Sequence, residues 1–524
     1  MKNIKMKKAI LSLFALAIVS VSCDDFLDVN ENPNDPSIST PSLTLPVALE
    51  DFGELNGRTM TYLGNQLVVN WATPSNWSAN AIYSRYNFSA DDFSNIFETS
   101  YATIFKNLTY IENYEDPTGA VDYSNYKAIS KIVKGFQYQM LVDLYGDVPY
   151  TEANLRGDNT TPAYDDAETI YKSVIEDLGV AVNLINNSAS AEDPGTQDIL
   201  FEGHMDYWVE FANSIRLRML VRMSNTGQDA YIASQIADIT ANGGGFIHAT
   251  AGVNPGYTAS DNQQSPFFDY FVQPNGAEQN RKDFTVASEF ALAFLTNAND
   301  PRLERLYEEA ANGGYKGAEQ STILPGVGFT SGDLSKVGPG LLVSADRDQI
   351  VMSEAEALFV QAEATVRGYL PGGDAAAQAL YEAAIEASFV QLGVEPIEAV
   401  EAVEADPTAT PPIEAVEAVE AVSVIGRAQN YYNQDIINIG WDDSTDKIQA
   451  IITQKWVALN GTSSIESWID LTRTGFPAGL PIPAESDGVR PVRLLYPSSE
   501  YARNVNNVPT QTADDVFTNA PFWK

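Results

Sequence analysis

Apolar residues recur at steps of three and four along most of the chain, which is the spacing of a buried helix face. The clearest run contains Ile129, Ile132, Val133, Phe136, Met140, Leu141 and Leu144. Further helices are predicted around 170–184, 208–219, 285–297, 353–367, 374–391, 445–460 and 464–471. Alternation typical of strands is not clearly signalled, so short hairpins in loops are the most that we expect. The pattern therefore predicts the all-α fold class.

A pair of consecutive helices is predicted at 353–368 and 374–393, separated by a turn rich in Gly and Pro. Ser353 and Glu356 match a capping box, and Asp374 can cap the second helix. Two antiparallel helices can approach closely here because small residues face the partner; the positions are Ala357, Ala362 and Ala364 against Tyr381, Ala384 and Ile385. The pair resembles a tetratricopeptide hairpin, which needs neighbouring helices to cover its other face.

The first residues predict export and lipidation. Four lysines precede an apolar run from Ala9 to Val21, which is too short to span a bilayer and reads as a signal peptide over residues 1–22. The run ends in small residues followed by Cys23, the only cysteine of the chain. We therefore predict that Cys23 is the lipid-attachment point and that 23–46 is a tether.

The remaining residues, 47–524, are predicted to form one helical domain. Within it, 394–423 repeats the segment IEAVEAVEA, whose Glu residues recur every three positions and match neither a helix face nor a strand. We interpret it as an acidic surface insertion whose deletion leaves the fold intact. In the tether, Asp28 begins an alternation like a calcium loop, but Pro33 stands where the loop needs Gly, so no calcium site is predicted.

The chain carries a formal net charge of −39. Such a charge repels phosphate backbones and anionic headgroups, so we expect no nucleic-acid partner and no membrane contact except through the lipid anchor. The two histidines, His204 and His248, are too far apart in sequence for a His-based metal motif. No metal and no cofactor are predicted.

The usual serine-hydrolase and P-loop motifs are absent from the sequence, and no catalytic residue is predicted. A glycosidase needs only two carboxylates, and the chain has 70 acidic residues. The sequence therefore does not exclude a catalytic pair of carboxylates. An anchored glycoside hydrolase therefore stays open as a lesser alternative to a binding protein that is not an enzyme.

Aromatic residues are dense in the segment 70–93, where Asn, Ser and Arg side chains lie between them. Exposed rings beside amides and hydroxyls can form a platform for sugars, because the flat ring packs on the apolar face of a pyranose. The predicted ligand-binding residues are Trp71, Trp77, Tyr83 and Tyr86. The alternative is that these rings only seat the segment on the helical core. A second aromatic loop, 257–271, has the same two interpretations.

Several motifs together resemble the SusD/RagB family of outer-membrane nutrient-binding lipoproteins, particularly its SusD-like branch. They occur in order along nearly the whole chain: CDDFLDVNENPN at 23–34, LYGDVPY at 144–150, DDAETIYKSVIEDL at 165–178, WVEFANSIRLRM at 208–219, NDPRL at 299–303, the hairpin at 353–368 with LYEAAIEASF at 380–389, ITQKWVALNG at 452–461, RTGFP at 473–477 and LYPSSEYARN at 495–504.

The resemblance implies a scaffold of tetratricopeptide-like hairpins and a loop-rich part that binds the ligand. It also implies a SusC-like TonB-dependent transporter as partner, to which oligosaccharides or, in some members, peptides are delivered. Asp24 and Asp25 after the lipidated cysteine look like the signal that sends such lipoproteins to the cell exterior. Ligand residues follow no fixed family motif, so the resemblance assigns none. The aromatic segment favours glycan, whereas the negative charge could suit cationic peptides.

Overall fold

The structure is a computed structural model that describes residues 39–319, 330–402, 417–483, 486 and 488–524. The predicted signal peptide, Cys23 and the calcium-like segment lie outside the described residues. Among the described residues, no helix combines the length and the apolar character needed to cross a bilayer.

Helices dominate the described residues, as the apolar spacing predicted, and the all-α fold class is confirmed. The α-helices are α1 Pro41–Glu54, α2 Thr61–Leu67, α3 Ala81–Arg85, α4 Ser94–Thr99, α5 Lys106–Glu112, α6 Ser124–Tyr145, α7 Ala167–Asn187, α8 Met205–Arg222, α9 Asp229–Ala241, α10 Pro266–Asp269, α11 Asn280–Asp283, α12 Glu289–Asn297, α13 Leu303–Leu306, α14 Glu354–Val366, α15 Gly373–Leu392, α16 Val424–Tyr432, α17 Lys447–Ala458, α18 Ser464–Thr474, α19 Ser498–Arg503 and α20 Asp515–Thr518. Single π-helical segments, Leu55–Met60 and Ser100–Phe105, join α1 to α2 and α4 to α5.

The first helix begins earlier than the predicted tether boundary at residue 46. Pro41 occupies the first position of α1, where its missing N–H costs no hydrogen bond, and Leu45 is fully buried. Residues 41–46 are therefore part of the helical core, which corrects the end of the predicted tether.

Two short antiparallel strand pairs connect the loops to the helices. Strand β1 (Trp71–Ala72) pairs with β3 (Val286–Ala287), and β2 (Ala251–Val253) pairs with β4 (Gln349–Met352). The first pair joins segments more than 200 residues apart in sequence. It thereby brings the aromatic segment 70–93 close to the second aromatic loop, 257–271.

The hairpin of α14 and α15 is present, and α14 also packs against α8 and α17, so its second face is covered as expected. Ser353 caps α14 by accepting a hydrogen bond from the Glu356 N–H at 3.1 Å. The carboxylate of Glu356 does not close the capping box; it binds Arg218 instead. Of the three small residues in α14, Ala362 lies in the cluster shared with α15, whereas Ala357 and Ala364 belong to the main core.

The five central helices are joined by a buried set of ion pairs, which we call the core ion network. It links α6, α8, α14, α17 and α18, and its side chains are at most 4% exposed; they are Asp143, Arg218, Arg222, Glu356, Glu363, Lys455, Glu466, Asp470 and Arg473. Arg218 donates to Glu356 at 2.7 Å, and Arg222 donates to Asp143 at 2.7 Å and also to Glu466. Every helix of this group thus contributes a charge whose partner lies on another helix.

Burial and pairing act in opposite directions on the carboxylates of the network. Burial would raise the pKa of Asp470, but Lys455 and Arg473 lower it below its ordinary value. At Asp143, burial dominates over the lowering effect of Arg222 and raises the pKa to about 6. The cations therefore keep part of the network ionised down to low pH, whereas Asp143 takes up a proton at a higher pH than an ordinary aspartate does.

The ends of the predicted acidic insertion are partly ordered into a ladder. Ile397 pairs with Val422 and Val400 with Val419 through backbone hydrogen bonds of 2.9 Å. Val394, which lies inside the predicted insertion, is only 2% exposed and packs in the cluster of α14 and α15. The surface part of the insertion therefore starts after residue 394, and 403–416 lie outside the described residues.

Candidate functional site

Loops from three parts of the chain converge beside α1 and α2 and form what we call the aromatic site. The β1–β3 pair places the loop that follows residue 72 next to the segment 280–286, and α10 brings in Tyr270 and Phe271. The members that remain partly exposed are Arg58, Trp77, Asn80, Tyr270, Arg281 and Phe284.

The floor of the aromatic site consists of buried rings. Trp71 is fully buried, and its ring lies 5.5 Å from Tyr62, 5.9 Å from Phe271 and 6.3 Å from Phe267 by centroids. Tyr83 lies 6.4 Å from Tyr62. Such offset and edge contacts are the arrangements that aromatic rings prefer, so the floor is a rigid support for the rim.

Tyr62 connects the floor to the loops through its hydroxyl group. The hydroxyl oxygen accepts a hydrogen bond from Asn80 at 2.9 Å and lies 2.9 Å from the Thr285 hydroxyl. Burial raises the pKa of Tyr62, so the phenol stays protonated and remains a hydrogen-bond donor at neutral pH. These bonds hold the 70–93 loop and the 280–286 segment at a constant distance from α2.

Two arginines flank Tyr270 in the rim. The guanidinium carbon of Arg281 lies 3.9 Å from the Tyr270 ring centroid and 4.9 Å from that of Tyr62, and the carbon of Arg58 lies 4.9 Å from the Tyr270 centroid. Arg58 also pairs with Glu54 one turn earlier on α1. Stacking fixes the planes of the guanidinium groups, and both arginine side chains remain partly exposed.

Trp77 and Phe284 form the second part of the rim. Their ring centroids are 5.4 Å apart, and the indole N–H of Trp77 donates to the Ser331 hydroxyl at 2.9 Å. Asn76 binds the same hydroxyl at 3.2 Å. The indole is thus held by its nitrogen while part of its surface faces solvent.

The structure places three of the four predicted ligand-binding residues in the interior. Trp71, Tyr83 and Tyr86 are 0%, 5% and 2% exposed, so they are buried supports and not an exposed platform. Of the four predicted residues, only Trp77 is partly exposed. The alternative interpretation, in which the rings seat the segment on the core, describes the other three. Trp71 retains one unusual feature: its indole N–H has no hydrogen-bond partner among the described residues.

Sequence reasoning missed Arg58, Tyr62, Arg281 and Phe284. Arg58 and Tyr62 are four residues apart in sequence, a spacing that also occurs at many structural positions. Arg281 lies in the segment NRKDF, which carries no recognisable signal. Tyr270 of the second aromatic loop, 257–271, does lie in the aromatic site. Among the described residues, no group of three or more His, Cys, Asp or Glu side chains is arranged to hold a metal ion.

Residues 33–497 match the SusD-like family described as starch-binding and associating with the outer membrane. The chain belongs to this family. No curated protein sequence matches it.

Solved structures share the fold over nearly the whole chain. A chitin-binding protein is 24% identical with a TM-score of 0.68, and the match covers 89% of this chain and 95% of that one. A chitin-binding SusD homologue from Flavobacterium johnsoniae is 21% identical with a TM-score of 0.68, covering 91% and 98%. A SusD homologue from Bacteroides fragilis is 20% identical with a TM-score of 0.68, covering 93% and 99%.

Proposed function

We propose that this protein is a nutrient-binding lipoprotein that captures oligosaccharides at the aromatic site and delivers them to a SusC-like TonB-dependent transporter. Cys23 carries the lipid that anchors it to the outer membrane, and the protein faces the cell exterior. The observation that carries the proposal is the rim of the aromatic site, where partly exposed rings and stacked arginines share one surface.

The chemistry of the rim suits a sugar. The exposed surfaces of Trp77 and Phe284 can pack against the apolar face of a pyranose, and Asn76 can bond its hydroxyls. The forked donors of Arg281 match two neighbouring hydroxyl oxygens. Because the floor already holds these groups in position, little conformational entropy is lost on binding.

The family description and the names of two structural neighbours guide the choice of ligand. The family is described as starch-binding, and both neighbours are named as chitin-binding. Neutral oligomers of glucose and of N-acetylglucosamine are therefore the first ligands to test, and hydrolysis of either is not part of the proposal.

One observation favours the second candidate, capture of oligopeptides by the same site. Arg58 and Arg281 both lie within 4.9 Å of the Tyr270 ring centroid, and guanidinium groups bind carboxylates through charge-assisted hydrogen bonds. A peptide with a free C-terminus would use this pair, whereas a neutral glycan gains less from the positive charge.

Isothermal titration calorimetry separates these candidates. Maltoheptaose, chitohexaose, an unmodified hexapeptide and the same hexapeptide with an amidated C-terminus are titrated into the purified mature chain. We expect saturable binding of one glycan and a loss of at least about tenfold in affinity in Trp77→Ala and in Phe284→Ala. Tyr231→Ala, which removes a partly buried ring on α9, is the matched control and should bind like the wild type.

Two results would contradict the glycan proposal. If the unmodified peptide binds and neither glycan does, the site serves peptides, and the amidated peptide then tests the arginine pair. If a glycan binds equally well to Trp77→Ala, Phe284→Ala and the control, the aromatic site is not where it binds.

The anchor and the partner need separate tests in cells. We expect Cys23→Ser to prevent lipidation and to move the protein out of the outer-membrane fraction, with the wild type accessible to protease added outside intact cells. Co-purification of a TonB-dependent transporter with the wild-type protein supports delivery, and a protein recovered without one under mild detergent argues against it.

A further inference from the structure

The two histidines of the chain meet at one surface pocket, although they are 44 positions apart. His204 precedes α8, and His248 follows α9. Tyr207 lies between them, with ring centroids 5.4 Å from His204 and 5.5 Å from His248. Phe201 adds a fourth ring at 5.9 Å from Tyr207. We call this place the histidine pocket.

The histidine pocket has a volume of about 250 Å³, which suits a small molecule or a single side chain. Its apolar part is supplied by Phe201 and by the buried residues Leu200 and Ile247. The aromatic rings and these apolar residues give one side of the pocket an apolar surface.

The charges around the histidine pocket are negative. Glu202 and Glu210 line it, and Glu210 is bound to the Nδ1 atom of His248 at 2.8 Å. Glu354 lies close by: burial raises its pKa, and His248 lowers it. None of the described lining residues is Lys or Arg.

We infer that the histidine pocket binds an alkylammonium group carried on a small carbon skeleton. The ammonium group lies against the face of Tyr207 and donates hydrogen bonds to Glu210 and Glu202, while the skeleton packs on Phe201. Ring faces attract cations through their quadrupole, and carboxylates form charge-assisted hydrogen bonds with ammonium groups. An amino sugar and a lysine side chain both present this chemistry.

The scarcity of histidine makes the pocket easy to observe. Histidine labelled with ¹³C and ¹⁵N gives imidazole signals only from His204 and His248, and single His→Asn variants assign them. The probes are 6-amino-6-deoxyglucose with glucose as its neutral partner, and Nα-acetyl-lysine amide with acetyl-norleucine amide as its neutral partner. Titrations are made near pH 8, where alkylammonium groups carry charge.

We expect a saturable shift of the imidazole signals with an amine probe and none with its neutral partner. A response to the sugar amine alone assigns the source to amino sugars, a response to the lysine derivative alone assigns it to basic side chains, and a response to both shows that the ammonium group is what is recognised. Each of these results supports the inference.

Variants test the named contacts. Glu210→Gln keeps the shape of the pocket but removes one charge, and it should weaken binding about tenfold. Tyr207→Ala should abolish the shift, and Glu98→Gln, an exposed substitution on α4, should leave it unchanged. Equal shifts with charged and neutral probes, no saturable shift, or binding unaffected by both Glu210→Gln and Tyr207→Ala would overturn the inference. The aromatic site has no histidine, so its failure to bind glycan does not alter this outcome.

Discussion

The protein uses arginine in two different ways, in the core ion network and in the aromatic site. Arg218 and Arg222 have side chains only 1% exposed, and each is paired with carboxylates of other helices. Arg58 and Arg281 are partly exposed and lie over the rings of tyrosines. The first pair is held by carboxylates of other helices, whereas the second pair is held by aromatic rings and, at Arg58, by Glu54, and both of its side chains stay partly exposed.

The comparison shows that the strongest charge interactions of a chain need not mark its functional site. Several polar residues of the family-like motifs, such as Arg218, Lys455 and Arg473, belong to the core ion network and join helices. A buried charge is costly unless its partners are complete, so these positions tolerate little change. The rim residues of the aromatic site are not part of a buried ion pair network, so they can vary with the ligand that is bound.

Removing one network carboxylate gives the largest expected effect. Glu466→Ala leaves Arg222 with one carboxylate fewer in a region that water does not reach. We expect the free energy of unfolding to fall by about 3 to 5 kcal/mol, measured by urea denaturation. A decrease of less than about 1 kcal/mol in the free energy of unfolding would mean that the core ion network does not hold its helices together. The contrast between structural and site arginines would then fail.

Removing an arginine of the aromatic site should weaken ligand binding but change the stability of the fold little. Arg281→Ala is expected to weaken ligand binding by about 2 kcal/mol and to change the free energy of unfolding by less than about 1 kcal/mol. Calorimetry and urea denaturation of the same sample measure both quantities. Arg281→Lys is the matched variant, because it keeps the charge but loses the planar fork. A large loss of stability with unchanged binding would assign Arg281 to the scaffold.

The raised pKa of Asp143 predicts that the stability of the protein depends on pH. Its pKa is raised from an ordinary value of 3.8 to about 6 in the folded protein, so the folded state holds a proton that the unfolded state has released between these values. The free energy of unfolding therefore falls as the pH rises through this window. When the pH rises from roughly 5 to 7, we expect the free energy of unfolding of the wild type to fall by about 1 kcal/mol relative to that of Asp143→Asn.

Urea denaturation at several pH values measures that difference. The carboxylates with lowered pKa, such as Asp470, lose their contribution only as the pH falls below this range, so they do not obscure it. Parallel pH profiles for wild type and Asp143→Asn would show that Asp143 is ionised throughout.

The smallest effect is expected from the acidic insertion. Replacing residues 401–418 by a short Gly/Ser turn keeps the pair of Val400 and Val419, so the loop still closes at the same point. We expect a change of less than about 0.5 kcal/mol in the free energy of unfolding. Val394→Ala, a buried position just outside the replaced segment, should cost more than about 1 kcal/mol. Similar values for the two variants would place the insertion in the core.

The helices were predictable because their signal is local. In α6 and α7 the apolar residues return to one face every turn, and a core on one side requires this whatever the tertiary arrangement. The start of α1 was missed because residues 24–46 are rich in Asn, Pro and Ser, and turn propensity outweighed the buried Leu45 in the prediction. Propensity is a weak prior that tertiary contacts override.

The aromatic site was only partly predictable because exposure is not a local property. The composition of 70–93 located one of its loops, but Trp71 and Trp77 have similar neighbours in sequence and opposite environments in the structure. The difference arises from β3 and Phe271, which cover Trp71 from segments about 200 residues away. The same distance in sequence hid Arg281, which becomes significant only because it stacks on Tyr62 and Tyr270.

The sequence by itself determined the helical class, the existence of the α14–α15 hairpin, the family resemblance and the general location of an aromatic loop, because periodicity, caps and composition act within a few residues. The tertiary structure decided which rings are buried, which arginines are paired inside the protein and that His204 and His248 share a pocket. Those outcomes depend on the packing of distant segments, in which burial and the distance between charges control the energy.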